Sequence, residues 1–325
     1  MQYRRFGRLG WNVSSIGFGA WAIGAAHWGP QSHDDSINAL HAALDAGVNF
    51  IDTAQGYGDG HSERVIAEAL KTRRERVYVA TKIPPAPGPW PPSPYCDIED
   101  RYPERYLRER IERSLRDLKT DCIDVIQLHT WTRAWNRQPT ALEHLAKFKR
   151  EGKLLGIGIS TPEHDQNSLI DLMRAGLLDC VQVIYNIFEQ EPAAEFLPVA
   201  REHDVGVIVR VPFDEGSLTG KYKPDHVFPE GDFRRNYFAG DRLARSVARA
   251  EKVRATVASE EPDLPRAALR FCLAPEAVST VIPGMRNVAQ ARANADASDA
   301  PPLSVEMMKK LRDHNWRRPF WYSGK

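Results

Sequence analysis

Apolar residues recur along this chain in two rhythms that take turns. Short runs dense in Val, Ile and Leu alternate with longer stretches whose apolar residues fall three or four apart, so strands and amphipathic helices succeed one another. Tyr3-Arg4-Arg5-Phe6 and Val13-Ser14-Ser15-Ile16-Gly17-Phe18 read as two short strands around Gly7 and Gly10, an N-terminal β-hairpin. A helix over 34–46 buries Ile37, Leu40 and Leu44 and stops at Gly47. Strand 50–52 leads to a helix beginning at Ser62, read as its cap, with Val65, Ile66, Ala69 and Leu70 on the buried face. Strand 77–82, helix 103–118, strand 123–129 and a helix from about 139 to 150 follow. Strand 154–160, helix 167–174, strand 181–185, helix 195–203 and strand 206–210 continue the series. Helices over 243–257 and 265–273, strand 278–282 and a helix through 288–297 complete it.

Eight strand-plus-helix steps predict an α/β protein with a closed parallel (β/α)8 TIM barrel, long loops on its C-terminal face, and residues 1–325 as one domain. The alternative is an open doubly wound sheet, which wants a GxGxxG turn after its first strand. Gly17-Phe18-Gly19-Ala20-Trp21-Ala22 places Ala22 at the third glycine position, so the barrel is preferred. Two segments interrupt the cycle. Residues 83–95 hold seven prolines around Trp90 and follow the third barrel strand. They are expected to be stiff and to wall the site, although a spacer or a docking peptide reads similarly. Residues 211–240 are too long for a structureless loop without a role, and a cofactor lid is the natural reading.

Composition narrows the classes. With 42% hydrophobic and 27% charged residues and a net charge of +1, the chain suits a globular protein and carries no nucleic-acid footprint. No apolar run approaches a membrane span, and the N-terminus lacks a signal-peptide core. Cys96, Cys122, Cys180 and Cys272 form no CxxC pair, which suggests a reduced, cytoplasmic protein. No HxH or HExxH spacing points to a metal.

Asp52, Lys82 and His129 fall at the C-terminal ends of the second, third and fourth barrel strands, and Tyr57 lies on the loop after the second. Barrel enzymes draw their reactive groups from these places. Singly each has a plain structural reading: a capped turn for Asp52, a satisfied core residue for His129. Together they describe a lysine–aspartate pair beside a phenol, with the ammonium expected to lower the phenol's pKa and make Tyr57 a proton donor to a carbonyl oxygen.

These motifs resemble the aldo-keto reductases, NADPH-using (β/α)8 barrels that reduce aldehydes and ketones. Phe50-Ile51-Asp52-Thr53-Ala54-x-x-Tyr57-Gly58 is similar to the family's first signature, Val79-Ala80-Thr81-Lys82 to its lysine strand and Gln127-Leu128-His129 to its histidine. The resemblance implies Tyr57 as general acid, Lys82 tuning it, Asp52 paired with Lys82, and His129 orienting the carbonyl. It implies that Ser160, Thr161 and Gln182 hold the nicotinamide carboxamide. Pro212, Phe213, Gly216, Ser217, Leu218 and Lys221 resemble the pyrophosphate loop, with the amides near 216–218 facing the phosphates. Gly284, Arg286, Gln290 and Asn294 resemble the adenosine end, Arg286 meeting the 2′-phosphate of NADP(H). Trp21 and Trp131 sit where the family places substrate-pocket aromatics, and Trp90 and Tyr95 are candidates to join them. Arg210 departs from the family's usual aromatic; it is expected to stack on the nicotinamide or to turn aside and pair with Asp214 or Glu215. The tail 316–322 either folds over the barrel or packs outside it. The implied partner is a small carbonyl compound, with no nucleic acid and no membrane. An NADPH-binding regulatory subunit with little turnover is the alternative that one branch of the family suggests.

Overall fold

In the computed structural model, which describes residues 1–24, 27–73 and 75–318, the chain opens with an antiparallel hairpin. Strand β1 (Tyr3–Phe6) pairs with β2 (Trp11–Ser14). The run 13–18, expected as one strand, is divided. Val13 and Ser14 finish the hairpin, whereas β3 (Phe18–Gly19) opens a separate parallel sheet. The backbone changes partner between them: the Ser15 amide bonds to the Gln2 carbonyl, and the Gly17 amide to Val281.

Seven further parallel strands follow: β4 (Phe50–Asp52), β5 (Tyr78–Ile83), β6 (Ile123–Leu128), β7 (Leu154–Ser160), β8 (Cys180–Ile184), β9 (Gly206–Arg210) and β10 (Thr280–Val281). Their order in space is their order in sequence. Parallel bridges from Ile16 to Val281 and from Gly19 to Gly284 join the last strand to the first, which closes the barrel.

The connections on the first half of the ring are α1 (His33–Asp45), α2 (His61–Leu70), α3 (Ile98–Arg101), α4 (Glu104–Leu118) and α5 (Thr140–Arg150). On the second half they are α6 (Ile170–Arg174), α7 (Phe196–Glu202), α8 (Arg234–Tyr237), α9 (Arg242–Val257), α10 (Leu264–Leu273), α11 (Val288–Asp296) and α12 (Val305–Arg312). The helix expected over 167–174 is a 3-10 turn, Gln166–Leu169, running into α6. Ser62 does not cap α2; Gly60 holds that position in a left-handed conformation. The Ser62 hydroxyl instead accepts a hydrogen bond from Thr53 and donates one to the Ala20 carbonyl, tying the helix start to two strand ends. Among the described residues no helix is long and apolar enough to cross a membrane.

Strand side chains alternate between the helix layer and the lumen. The lumen-facing residues Phe50, Ala80, Val125, Cys180 and Ile208 pack with Phe6 and Val13 of the hairpin, which plugs the N-terminal end. Phe6 reaches the lumen because Gly7 turns against the β9 backbone at φ +47; a Cβ there would lie 2.2 Å from the Gly206 nitrogen. Each lumen residue of this apolar layer has its next inward neighbour two positions on: Asp52, Lys82, Gln127, Gln182 and Arg210. The same period that builds the plug therefore lifts a polar layer directly above it.

Candidate active site

Asp52 and Lys82 are buried within that polar layer, 2% and 0% exposed. Burying either charge singly would be costly, so their pairing is the first requirement of the site. Lys82 Nζ donates to Asp52 Oδ2 at 2.5 Å, to the Thr53 carbonyl at 2.8 Å and to Tyr57 Oη at 3.2 Å, which uses all three ammonium protons. Asp52 Oδ1 accepts from Gln127 Nε2 at 3.0 Å and Gln182 Nε2 at 2.7 Å. Tyr57 stands on the loop after β4 with its ring partly open to a cavity of 880 Å³. His129, immediately after β6, meets the Tyr57 ring edge-on at 5.9 Å between centroids.

The charges act on one another in a definite direction. Burial, with Lys82 and Arg210 nearby, pushes His129 well below its ordinary range, so it is a neutral imidazole at pH 7. Burial also lowers Lys82, against the pull of Asp52. Tyr57 does not move toward neutrality as expected. Burial and the Asp52 carboxylate raise its pKa, Glu215 adds to the rise, and Arg210 opposes it. The reason is that the Lys82 charge is matched by Asp52 at 2.5 Å and little of it is left to favour a phenolate. The phenol consequently keeps its proton across the physiological range.

The cavity runs from Trp90 and His129, past Ser160, Gln182 and Arg210, along Pro212, Phe213, Gly216 and Lys221 to Gly284, Arg286, Gln290 and Asn294. Its volume is within the range that holds a large ligand. The profile of the Aldo/keto reductase family fits residues 15–315. The chain belongs to that family. Members are oxidoreductases that act on carbonyl groups. An aldo-keto reductase of Bacillus subtilis, YhdN, is 34% identical over 73% of this chain and 69% of its own length. The NADH-specific methylglyoxal reductase of Escherichia coli is 29% identical over 88% of this chain and 90% of its own. Among solved structures, the glycerol dehydrogenase of Gluconobacter oxydans superposes with a TM-score of 0.79, at 26% identity over 98% of both chains.

Within this aldo-keto reductase the structure redistributes several of the expected roles. Trp131 does not line the cavity; it is 1% exposed, packs edge-on against Trp135 and donates its indole N–H to Asn136. Tyr95 is 97% exposed and is not part of the wall. Thr161 is buried, its hydroxyl bonded to Gln166 and to the Gln182 carbonyl. Ser217 donates to Asp214, and Leu218 is fully buried. The amides of Gly216 and Leu218, expected to face phosphates, both bond to the Phe213 carbonyl. Arg210 does turn aside, but toward Thr161 O at 3.0 Å and Glu163 Oε1 at 3.2 Å rather than Asp214 or Glu215.

Other expectations stand where they were placed. Trp21 and Trp90 line the cavity; Trp21 lies alongside Tyr57 and Trp90 meets His129 edge-on at 5.7 Å. The proline-rich segment therefore does reach the site. Arg286 is at the far end, donating to Gln31 Oε1 and the Pro30 carbonyl. The tail divides: Trp316 packs on Phe188 and Arg318 is buried, while residues 319–322 lie outside those described.

Residues not anticipated complete the wall. Trp28 and Phe233 close an aromatic corner with Trp21. Arg234 stacks over Trp28 and bonds Asp232 and Tyr222. Glu163 and Glu215 are on the wall too. Gln127 was detectable, since a buried amide in an otherwise apolar strand must find a partner. Glu163 and Arg234 carried no local signal.

The donor set suits a nicotinamide dinucleotide. Among the described residues the Ser160 hydroxyl and the Glu215 carboxyl face this cavity with no side-chain hydrogen bond to the protein. Lys221, Arg234 and Arg286 put positive charge along its far half.

Proposed function

We propose that the protein reduces an aldehyde or ketone to an alcohol at the expense of NADPH, with Tyr57 as the general acid. The observation that carries this reading is the protonated phenol at the cavity floor with an ammonium 3.2 Å behind its oxygen. Bound in the cavity, the reduced nicotinamide would supply a hydride. Ser160 and Gln182 would orient its carboxamide, and the wall from Pro212 to Lys221 would take the phosphates. The chain's own part is to fix the carbonyl and deliver a proton. His129, neutral, offers an imidazole N–H to the carbonyl oxygen and holds it toward Tyr57. As the carbonyl is reduced, the O–H bond of Tyr57 breaks and its proton goes to the carbonyl oxygen. The phenolate that remains faces Lys82 Nζ, so the charge left on Tyr57 meets a donor already in place.

The substrate is a small carbonyl compound flanked by Trp21 and Trp90. NADPH rather than NADH is favoured by Arg286, although the Escherichia coli relative carries the opposite preference in its name. A panel of aldehydes, ketones and sugars followed by NADPH absorbance tests the activity. Tyr57→Phe should lower turnover by about 10²–10⁴, the range of acid catalysis, with NADPH affinity changed only a few-fold. Undiminished reduction by the pure variant would remove Tyr57 from this role, and absence of turnover on the whole panel would favour a cofactor-binding regulatory subunit.

A further inference from the structure

The wall that this reading gives to the cofactor's diphosphate carries an unusual pair, Asp214 and Glu215, side by side. Both are buried, 0% and 4% exposed, and Glu215 lines the cavity. Two adjacent carboxylates there would repel a diphosphate. The backbone of the same stretch is also in an uncommon state: Val211, Asp214, Glu215 and Gly216 have φ of 57, 49, 54 and 95 degrees. A β-branched residue and two acids in the left-handed region persist only where neighbours hold them there.

Two side chains from elsewhere in the chain do the holding. Asn186 donates from Nδ2 to the Val211 carbonyl at 2.9 Å. Arg318, 104 residues away in the C-terminal segment, donates through Nη1 and Nη2 to both oxygens of Asp214. The pair is closed to solvent, its side chains 1% and 0% exposed, and Ser217 adds a hydrogen bond to Asp214 Oδ2 at 2.7 Å. Burial alone would lower the Arg318 pKa, but the attraction of Asp214 outweighs it and the guanidinium is held charged. The segment that delivers Arg318 is anchored on the way: the Trp316 amide bonds to the Phe188 carbonyl at 2.8 Å, and the Trp316 ring packs edge-on against Phe188.

We propose that Arg318 is a positioning residue for cofactor binding: acting through Asp214, it cancels the first of two adjacent acids and fixes the left-handed turn, so that this acidic wall can accept a diphosphate. The assignment rests on the nicotinamide reading of the cavity given above. The second acid needs no counter-ion of its own. Burial and the neighbouring Asp214 push Glu215 up to about 8, with Arg210, Arg234 and Arg318 opposing, so it is mostly protonated at neutral pH. Were Arg318 a mere clasp for the tail, its loss would cost stability and leave ligand affinity alone.

The test measures Kd for NADPH by fluorescence titration on the full chain, with melting temperature and steady-state kinetics alongside. Arg318→Gln should weaken NADPH binding by about tenfold or more, the scale of one charge-assisted contact, while kcat at saturating NADPH stays within about twofold because the reacting groups are untouched. The double variant Asp214→Asn/Arg318→Gln removes both charges and should regain most of the lost affinity. Should Arg318→Gln not fold, the double variant and Arg318→Lys carry the test, with affinity near wild type in the first and intermediate in the second. A single variant with wild-type Kd, a fall in kcat as large as the fall in affinity, or a double variant no better than the single would overturn the assignment. If wild type binds NADPH and Arg318→Gln binds it equally well, this inference alone falls; if wild type binds neither NADPH nor NADH, the proposed function falls with it.

Discussion

Replacing Glu215 by glutamine should change the protein's stability in a way that depends on pH, and the direction can be worked from the site. The side chain is 4% exposed, sits next to Asp214, and titrates at about 8 when folded. In the unfolded chain a glutamate titrates near ~4.3. Below that value both states hold the proton and the residue contributes nothing to the pH dependence. Between the two values the folded state binds more protons than the unfolded one, so stability falls as pH rises. Above about 8 both are ionised and the whole penalty is present. A shift of between three and four units at ~1.4 kcal/mol each sets a ceiling of roughly 5 kcal/mol. That folded value already includes the opposing charges of Arg210, Arg234 and Arg318; solvent screening at the open cavity reduces the ceiling, and about 2 kcal/mol is expected. Glutamine keeps the shape and does not titrate. Urea unfolding of the cofactor-free protein and of Glu215→Gln, from pH 5 to pH 9, reads the difference directly. The variant should gain stability on wild type steadily from pH 5 to about pH 8, with the gain levelling off above that. Parallel stability curves for the two proteins over this range would refute the reasoning, because other buried acids such as Glu63 and Asp124 are common to both.

Two further outcomes follow from charged side chains on the cavity wall. Glu163→Gln should uncover the Arg210 charge beside the nicotinamide site and weaken NADP⁺ binding several-fold more than NADPH, since two unit charges about 4 Å apart interact by ~1 kcal/mol even in water; equal changes in the two dissociation constants would show that Arg210 does not face the ring. Arg286→Ala should erode a preference for NADPH over NADH by roughly ten- to hundredfold, as loss of one charge-assisted contact; an unchanged NADPH/NADH affinity ratio would move the reading of the 2′-phosphate to another residue.

The barrel and three of its reactive groups were legible because both depend on local rules. Period-two strands and their C-terminal ends place Asp52, Lys82 and His129 without any long-range information. Parity fails as soon as the chain leaves the strand, and there Trp131, two residues past His129, turns into the core beside Trp135 instead of toward the cavity. Three short helices, α3, α8 and α12, were missed, two of them although their caps are local: Asp97 accepts from the Glu99 amide at the start of α3, and Ser304 from the Met307 amide at the start of α12. The ion pairs that set the wall's charge could not be read at all. Arg210 and Glu163 are 47 residues apart, Arg318 and Asp214 104, and no sequence period spans such distances. For Tyr57 the Lys82–Asp52 pair itself was legible but its effect was not: burial of the phenol and the Asp52 carboxylate raise the Tyr57 pKa where the nearby ammonium was expected to lower it.

The carboxylate of Asp52 also has an architectural effect. It sits on β4, and the glutamine that reaches its Oδ1 at 2.7 Å comes from β8, four strands around a ring of eight. With Gln127 of β6 on the same oxygen and Lys82 of β5 on the other, one side chain braces the barrel across its full diameter. This cross-brace acts as a fixed depth stop. Nothing entering from the C-terminal face can descend past it, and the space beneath is filled by Phe6, Phe50 and their neighbours. Every guest molecule is therefore presented to the reacting groups at one height, whatever its size. Discrimination between guests then falls to the rim, where Trp21, Trp28, Trp90 and Phe233 stand on loops that can change without disturbing the brace.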